Sequence, residues 1–259
     1  MNDLFGVVSF LWHGSDLLNW FFTTLDLDQE TQAGSGVCFG FIGNRMLESY
    51  GREAMRLILE GATPAQIDKV LFDFGFAMGF PSMADLVGID VGYLVREQNK
   101  EAFYATDPAN AAICNQLYKL GRYGQKSGRG FYIYEARDKR DDPEVMAIAA
   151  ELAADYSVER REISDQEILE RTVYMLINEG AQILDEGIAI RASDIDIVYC
   201  NGYGFPTHRG GSMHYANEVG LKTILGAINK YRNELGPYGE KYFKPAPLLE
   251  KMVVESRSF

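Results

Sequence analysis

The chain has 259 residues, enough for one large domain or two smaller ones. Hydrophobic residues make up 47% of it and charged residues 24%, which is typical of a globular protein and unlike a disordered chain. The 25 lysines and arginines stand against 37 acidic residues, and the net charge of −12 argues against binding to nucleic acid or to an anionic membrane surface.

Cysteine and histidine are scarce. The three cysteines, Cys38, Cys114 and Cys200, lie far apart, so we expect neither a disulfide framework nor a zinc cluster. Three histidines leave little room for a metal site, and we predict none. No apolar stretch reaches the ~20 residues that span a bilayer. We therefore expect no membrane span and a reducing, cytoplasmic setting.

The first 35 residues form a leader that shares no pattern with the rest of the chain. Their aromatic side chains form apolar surface, and the sequence shows no unit that would bury it. We expect the leader to be loosely attached, and either to lie on an exposed face or to mediate self-association. His13, within it, has no surrounding motif that would make it a catalytic base.

The next stretch predicts two helices joined by a short turn. Residues 46–58 repeat apolar side chains at three- and four-residue spacing, which is typical of a helix with one buried face. Gly61 is placed to end this helix. Thr63 then suits an N-cap and Pro64 the first helical position, while Gln66 completes the spacing of a capping box.

The middle of the chain predicts a boundary. Residues 128–134 read as an extended segment that closes the first unit, and the charged run 135–142 as a solvated linker. Asp142 and Pro143 predict the start of a bridging helix. Apolar spacing further along predicts a long helix over residues 168–184.

The chain also matches itself. Five groups of residues recur in order at offsets of 126 to 130: Glu53 with Glu179, Glu60-Gly61 with Glu186-Gly187, Ile67-Asp68 with Ile195-Asp196, Gly75-Phe76 with Gly204-Phe205, and Ser82-Met83 with Ser212-Met213. This order indicates the duplication of one helical unit. We predict an all-α fold of two duplicated helical units packed together. The expected divisions are a leader (1–35), a first unit (36–134), a linker with a bridging helix (135–162) and a second unit (163–259).

Several motifs carry a resemblance to a known family. They are residues 36–45 (GVCFGFIGNR), 60–68 (EGATPAQID), 121–132 (GRYGQKSGRGFY), 192–196 (ASDID), 202–206 (GYGFP) and 208–211 (HRGG). In order and spacing they resemble the C-terminal domains of the 3-hydroxyacyl-CoA dehydrogenase family, and in particular the tandem C-terminal domains of multifunctional fatty-acid β-oxidation enzymes.

The resemblance implies an oxidoreductase family that uses NAD and an acyl-CoA substrate. In that family a Rossmann domain precedes the matching region, holds the cofactor and carries a catalytic histidine–glutamate pair. Only 35 residues precede Gly36, so we expect the cofactor site to be absent from this chain. Residues 34–40 imitate a glycine-rich dinucleotide motif but follow no strand, and we do not assign them to NAD.

The resemblance also implies a substrate-binding and catalytic role for Asn44, whose family counterpart reaches the thioester or 3-keto oxygen of the acyl-CoA. A side-chain amide suits this task because it donates hydrogen bonds without titrating. The alternative is an N-cap of the helix over residues 45–60. Arg45 is a candidate contact to a CoA phosphate, although pairing with Glu48 is the favoured interpretation.

Lys126 and Arg129 form a small basic patch in an acidic chain and are candidate CoA contacts, with a solvated loop as the alternative. His208-Arg209 is interpreted as a structural turn and the second unit as a non-catalytic copy. We expect the chain to be the substrate-side and association portion of the dehydrogenase, inactive alone. A second copy or a Rossmann domain in trans are its candidate partners. The competing hypotheses are a non-enzymatic association module and a truncated gene product.

Overall fold

A computed structural model describes residues 41–98, 107–136 and 138–259; the leader, His13 and Cys38 lie outside the described residues. The described part of the first unit contains α1 Phe41–Glu60, α2 Pro64–Phe74, α3 Phe80–Val87, α4 Ile89–Gln98, α5 Ala109–Lys119, β1 Tyr132–Glu135 and β2 Asp138–Asp141. The remainder contains α6 Pro143–Asp155, α7 Asp165–Leu169, α8 Met175–Asp185, α9 Ala192–Gly202, α10 Ser212–Val219, α11 Leu221–Glu234, α12 Gly236–Tyr242 and α13 Pro247–Val254. The all-α prediction is confirmed, with one small hairpin added.

The predicted turn between α1 and α2 is present. Gly61 ends α1 with a φ of +133°, and the carbonyl oxygen of Arg161 lies 2.3 Å from where a Cβ would stand, so only glycine fits there. The Thr63 hydroxyl accepts a hydrogen bond from the Gln66 N–H at 3.0 Å, which caps α2. The Gln66 side chain does not complete the capping box, because its Nε2 donates to the carbonyl oxygen of Ile163 instead.

The charged run 135–142 is not a simple linker, and this prediction is wrong. Half of it forms strand β2, which pairs with β1 in an antiparallel hairpin in which Tyr132 faces Asp141. All four residues of β2 are exposed, so the strand shows no alternation of apolar and polar residues that would predict it. Asp142 caps α6 as predicted, because its carboxylate accepts from the Glu144 N–H at 3.0 Å.

The two units share one hydrophobic core in which α1 packs against α8 and α9. The predicted apolar face of α1 is buried, with Met46, Leu57 and Ile58 fully covered. A π-helical segment, Glu170–Tyr174, joins α7 to α8 and interrupts the predicted long helix. At the crossing of the helices the Ser49 hydroxyl lies 3.3 Å from the carbonyl oxygen of Met175.

The two units match in structure at an offset of 132 in one region. Helices α3 and α10 both have eight residues and both follow a glycine, Gly79 or Gly211. The predicted match of Ser82 with Ser212 is therefore wrong by two residues, and Ser82 corresponds to His214. The error arose because a Ser-Met pair occurs in both units at different distances from the turn.

A buried aspartate supports each of these glycine turns. Asp68 accepts from the Ser82 N–H at 3.3 Å, and Asp196 accepts from the His214 N–H at 3.2 Å. Each carboxylate therefore lies at the N-terminus of an eight-residue helix, where the backbone N–H groups have no partner within the helix. A Cβ on the neighbouring glycine would clash with the aspartate in both units.

Candidate functional site

The motif Gly43-Asn44-Arg45 lies in the first turn of α1, on the side that meets the second unit. The helix already includes Phe41 and Ile42, so Asn44 lies inside it and the N-cap interpretation is wrong. All three residues of the motif contact the second unit. Asn44, the candidate substrate-binding residue, therefore lies at the boundary between the two units.

Asn44 is half-buried and holds one hydrogen bond to a side chain. Its Oδ1 accepts from the hydroxyl of Tyr203, with an O–O distance of 2.7 Å. Its Nδ2 has no hydrogen-bond partner among the described residues. The acceptor half of the amide is therefore used within the protein, and the two N–H donors are left for another acceptor.

Tyr203 follows α9 directly and packs its ring against Gly43. A Cβ at Gly43 would stand 2.1 Å from the Cε2 of Tyr203, so the motif requires glycine there. Tyr199 stacks on Tyr203 with ring centres 5.0 Å apart and donates its hydroxyl to the Gly43 carbonyl oxygen at 2.9 Å. Sequence reasoning did not single out Tyr203, although it lies within the quoted GYGFP motif.

Arg45 does not pair with Glu48, and that prediction is wrong. Its Nε lies 2.6 Å from a carboxylate oxygen of Glu179, and its Nη atoms lie 2.5 and 3.0 Å from Glu186. Both glutamates belong to the second unit: Glu179 lies within α8, and Glu186 directly follows its last residue. The hydrogen bonds from Arg45 hold the pKa of Glu186 below its usual value. The guanidinium is therefore paired already.

Arg171 is the counterpart of Arg45 in the second unit. It is fully buried, and its guanidinium contacts Glu53 at 3.0 Å and also Glu60, both on α1. The Tyr238 hydroxyl donates to Glu53 at 2.6 Å and satisfies another of its oxygens. Arg45 and Arg171 are 126 residues apart, which is the offset of the glutamate pairs, so extending the self-comparison would have matched the two arginines.

Lys126 and Arg129 lie in one loop, but neither is a free cation. The Lys126 ammonium lies 2.6 Å from Asp90, while the Arg129 guanidinium lies 2.7 Å from both Asp142 and Glu144. None of these partners contacts Asn44, so the structure does not join the loop to the α1 motif.

His208 and Arg209 lie in a short 3₁₀ turn, Thr207–Arg209, so the predicted turn is present. The Arg209 guanidinium lies over the ring of Phe74, 4.2 Å from the ring centre, and its Nε donates to the Phe74 carbonyl oxygen at 2.9 Å. This contact ties the second unit to the end of α2 and leaves the arginine with a packing role.

The described residues do not fit an NAD site. A dinucleotide site needs a strand, a glycine-rich turn and a helix whose N-terminus faces the pyrophosphate. Here the helix after the hairpin is α6, whose N-terminus carries the carboxylates of Asp142 and Glu144 and would repel a phosphate. Within the described ranges no three His, Cys, Asp or Glu side chains cluster to hold a metal, and no helix is long and apolar enough to cross a membrane.

Comparison with known proteins identifies the family. The profile of the 3-hydroxyacyl-CoA dehydrogenase, C-terminal domain family matches residues 40–134 and 168–258. The peroxisomal bifunctional enzyme of Danio rerio is 42% identical over 231 residues, covering 84% of this chain and 32% of that protein. The human peroxisomal bifunctional enzyme is 43% identical over 209 residues, covering 76% of this chain and 29% of that protein. The chain thus spans about a third of the length of these curated relatives.

Solved structures agree on the fold. The dehydrogenase part of multifunctional enzyme 1 from C. elegans aligns with a TM-score of 0.65 at 31% identity, over 84% of this chain and 48% of that one. A 3-hydroxybutyryl-CoA dehydrogenase from Escherichia coli aligns with a TM-score of 0.64 at 23% identity, over 83% of this chain and 60% of that one, which shows the fold alone. The chain belongs to the 3-hydroxyacyl-CoA dehydrogenase C-terminal domain family.

Proposed function

We propose that the chain supplies the acyl-CoA-facing and association portion of an NAD-dependent 3-hydroxyacyl-CoA dehydrogenase of fatty-acid β-oxidation, and that it is inactive alone. The observation that supports this best is the amide of Asn44. It is held by its oxygen while its N–H donors have no partner among the described residues.

The proposed task of Asn44 is to donate a hydrogen bond to the thioester or 3-keto oxygen of the substrate. A fixed N–H donor stabilises negative charge that develops on such an oxygen, and it does so without changing its own protonation. Asn44 carries no titratable group, so its own ability to donate does not change with pH.

For Lys126 and Arg129 we propose a weaker connection to the substrate. A CoA phosphate would have to displace Asp90 from Lys126, or Asp142 and Glu144 from Arg129. Arg45 would likewise have to leave Glu186. We therefore assign the recognition of the acyl group to Asn44 and leave these three cations as secondary candidates.

The partner implied by this function is a dinucleotide-binding domain that brings NAD to the face of Asn44, and a second copy of the chain is the other candidate. We further propose that the two units arose by duplication, as their exchanged arginines support. A cytoplasmic, reducing setting suits the two described cysteines, Cys114 and Cys200, which are both free thiols.

The alternative is a non-enzymatic association module, favoured by the use of the whole Gly43–Arg45 motif in packing between the units. Calorimetric titration of the chain with acetoacetyl-CoA and with free CoA separates the two. We expect acetoacetyl-CoA to bind more tightly than CoA, and Asn44→Ala to reduce this preference by about 3- to 10-fold, the worth of one hydrogen bond. The exposed Asn201 provides the matched control, Asn201→Ala. Equal binding of both ligands, or none, would favour the association module.

A further inference from the structure

The second unit contributes directly to the surroundings of Asn44. Tyr199 lies in α9 of that unit and Tyr203 directly follows this helix, and between them they contact Gly43 and Asn44 of the first unit. No other hydroxyl donates to the Asn44 amide among the described residues. The second unit, interpreted from the sequence as a non-catalytic copy, therefore supplies the hydrogen bond to Asn44, the candidate substrate-binding side chain of the first unit.

We propose that Tyr203 is a positioning residue, whose hydroxyl, by donating to Oδ1 of Asn44, turns the two N–H donors of that amide toward the acyl-CoA oxygen. The inference rests on the proposed function of Asn44. It adds a residue of the second unit to the machinery that binds the substrate.

The hydrogen bond selects one of two amide orientations. A rotation of the Asn44 amide by 180° would place Nδ2 toward Tyr203 and Oδ1 toward the substrate oxygen, where two acceptors would repel each other. In that orientation the Tyr203 hydroxyl would lose the acceptor to which it donates in the structure. Burial raises the pKa of Tyr203 to about 12, so the hydroxyl keeps its proton at every physiological pH and continues to donate.

Packing fixes the Tyr203 ring independently of its hydroxyl. The ring stacks on Tyr199 with an interplanar angle of 25° and lies against the glycine surface of Gly43, where no Cβ intrudes. Tyr199 is itself anchored by its bond to the Gly43 carbonyl oxygen. Tyr203→Phe therefore removes the donor and leaves the ring in place, so the effect of the hydroxyl can be measured alone.

The first experiment measures the order of the Asn44 side chain by ¹⁵N relaxation of its amide in the free chain. The Asn44→Ala spectrum identifies the signal by its loss. We expect an ordered amide in the wild type and an order parameter below about 0.6 in Tyr203→Phe, the range of flexible groups. Tyr231→Phe removes a different hydroxyl of the second unit, which donates to Glu170, and should leave the Asn44 signal unchanged. An Asn44 order parameter that is the same in Tyr203→Phe and wild type would overturn the proposal.

The second experiment measures binding. We expect Tyr203→Phe to weaken acetoacetyl-CoA binding by about 3- to 10-fold and to leave free CoA binding unchanged, and we expect this loss to vanish in an Asn44→Ala background. A merely structural role would weaken both ligands equally and would overturn the inference. If Asn44→Ala weakens acetoacetyl-CoA and Tyr203→Phe does not, the inference fails and the proposed function stands. If Asn44→Ala has no effect, the proposed function fails, and with it the role of Tyr203 in binding.

Discussion

Arg45 and Arg171 lie at matching positions, 126 residues apart, and each binds two glutamates of the other unit. This exchange is the arrangement of an isologous interface, in which the same contact is made twice about a two-fold axis. The two copies differ in their surroundings. The Arg171 side chain is 0% exposed, whereas that of Arg45 is 22% exposed.

Removing the two arginines should therefore have unequal effects on stability. Arg171→Met removes the buried cation that Glu53 and Glu60 share and leaves them only with other arginines nearer the surface, so we expect a loss of about 3 kcal/mol in the free energy of unfolding. Arg45 lies near solvent, so Arg45→Met should lower the free energy of unfolding by about 1 kcal/mol or less. Urea denaturation of the two variants measures the difference.

A control shows whether the loss comes from the stranded carboxylates. Replacing both of them in the triple variant Arg171→Met, Glu53→Gln, Glu60→Gln removes the two buried charges that lost Arg171. The other arginines that pair with these glutamates lie nearer to solvent and tolerate the loss better, so the variant should recover part of the stability. Equal losses for Arg171→Met and Arg45→Met would contradict the account, since burial would then have no influence on the pair.

The second prediction concerns pH and the buried Asp85. This carboxylate accepts hydrogen bonds from the N–H groups of Phe131 and Tyr132 and from the Tyr134 hydroxyl, all of which favour the charged form. Burial outweighs them and raises its pKa to about 6. In the unfolded chain the carboxyl has a pKa of about 3.9.

Between pH 4 and pH 6 the folded protein therefore holds a proton that the unfolded chain has lost. The stability that Asp85 contributes is present below pH 4 and is lost as the pH rises through 6. Relative to Asp85→Asn, the wild type should lose about 3 kcal/mol across this window, because each pKa unit is worth about 1.4 kcal/mol. Asparagine is a suitable reference because Asn217 is the residue that aligns with Asp85 when α3 is matched to α10. Guanidinium denaturation at several pH values measures the free energy of unfolding of the wild type and of Asp85→Asn. If the wild type became more stable relative to Asp85→Asn as the pH rises, the prediction would be contradicted.

The third prediction tests the contact between Gly43 and Tyr203. Alanine in place of a helical glycine normally stabilises a helix by about 0.5–1 kcal/mol. Gly226→Ala, in the exposed middle of α11 where a Cβ meets nothing within 4 Å, should show this gain. Gly43→Ala should instead destabilise the protein by about 1–3 kcal/mol, because its Cβ would overlap the Tyr203 ring.

Thermal unfolding of both variants measures these effects. Adding Tyr203→Ala to Gly43→Ala removes the overlap, so the two substitutions together should cost less than the sum of their separate effects. A Gly43→Ala variant as stable as Gly226→Ala would show that the tyrosine ring does not fill this space.

Local sequence signals predicted the helices and their ends well. The N-caps at Thr63 and Asp142 and the stop at Gly61 depend on residues within a few positions of one another, and all are confirmed. The hairpin strand 138–141 was missed because it is exposed on both faces and carries no alternating pattern. Residues 138–141 form a strand because they pair with β1, and their own side chains give no sign of it.

The contacts of the candidate site were harder to predict because they link distant parts of the chain. The hydrogen bond between Asn44 and Tyr203 joins residues 159 positions apart, and that between Arg45 and Glu179 joins residues 134 apart. The pairing with Glu48 was expected because only neighbours on the same helix are visible in the sequence. The offset at which the chain matches itself was the one long-range signal that pointed across the units.

The most direct test of the account is the oxidation of NADH by acetoacetyl-CoA, followed by absorbance, with and without a separately purified dinucleotide-binding domain from a relative. We predict no turnover by the chain alone, turnover when the domain is added, and a loss of about 100-fold in kcat for Asn44→Ala, the usual cost of removing one donor to a developing oxyanion. Turnover by the chain without the added domain, or a reconstituted rate that is the same for Asn44→Ala and wild type, would contradict the account.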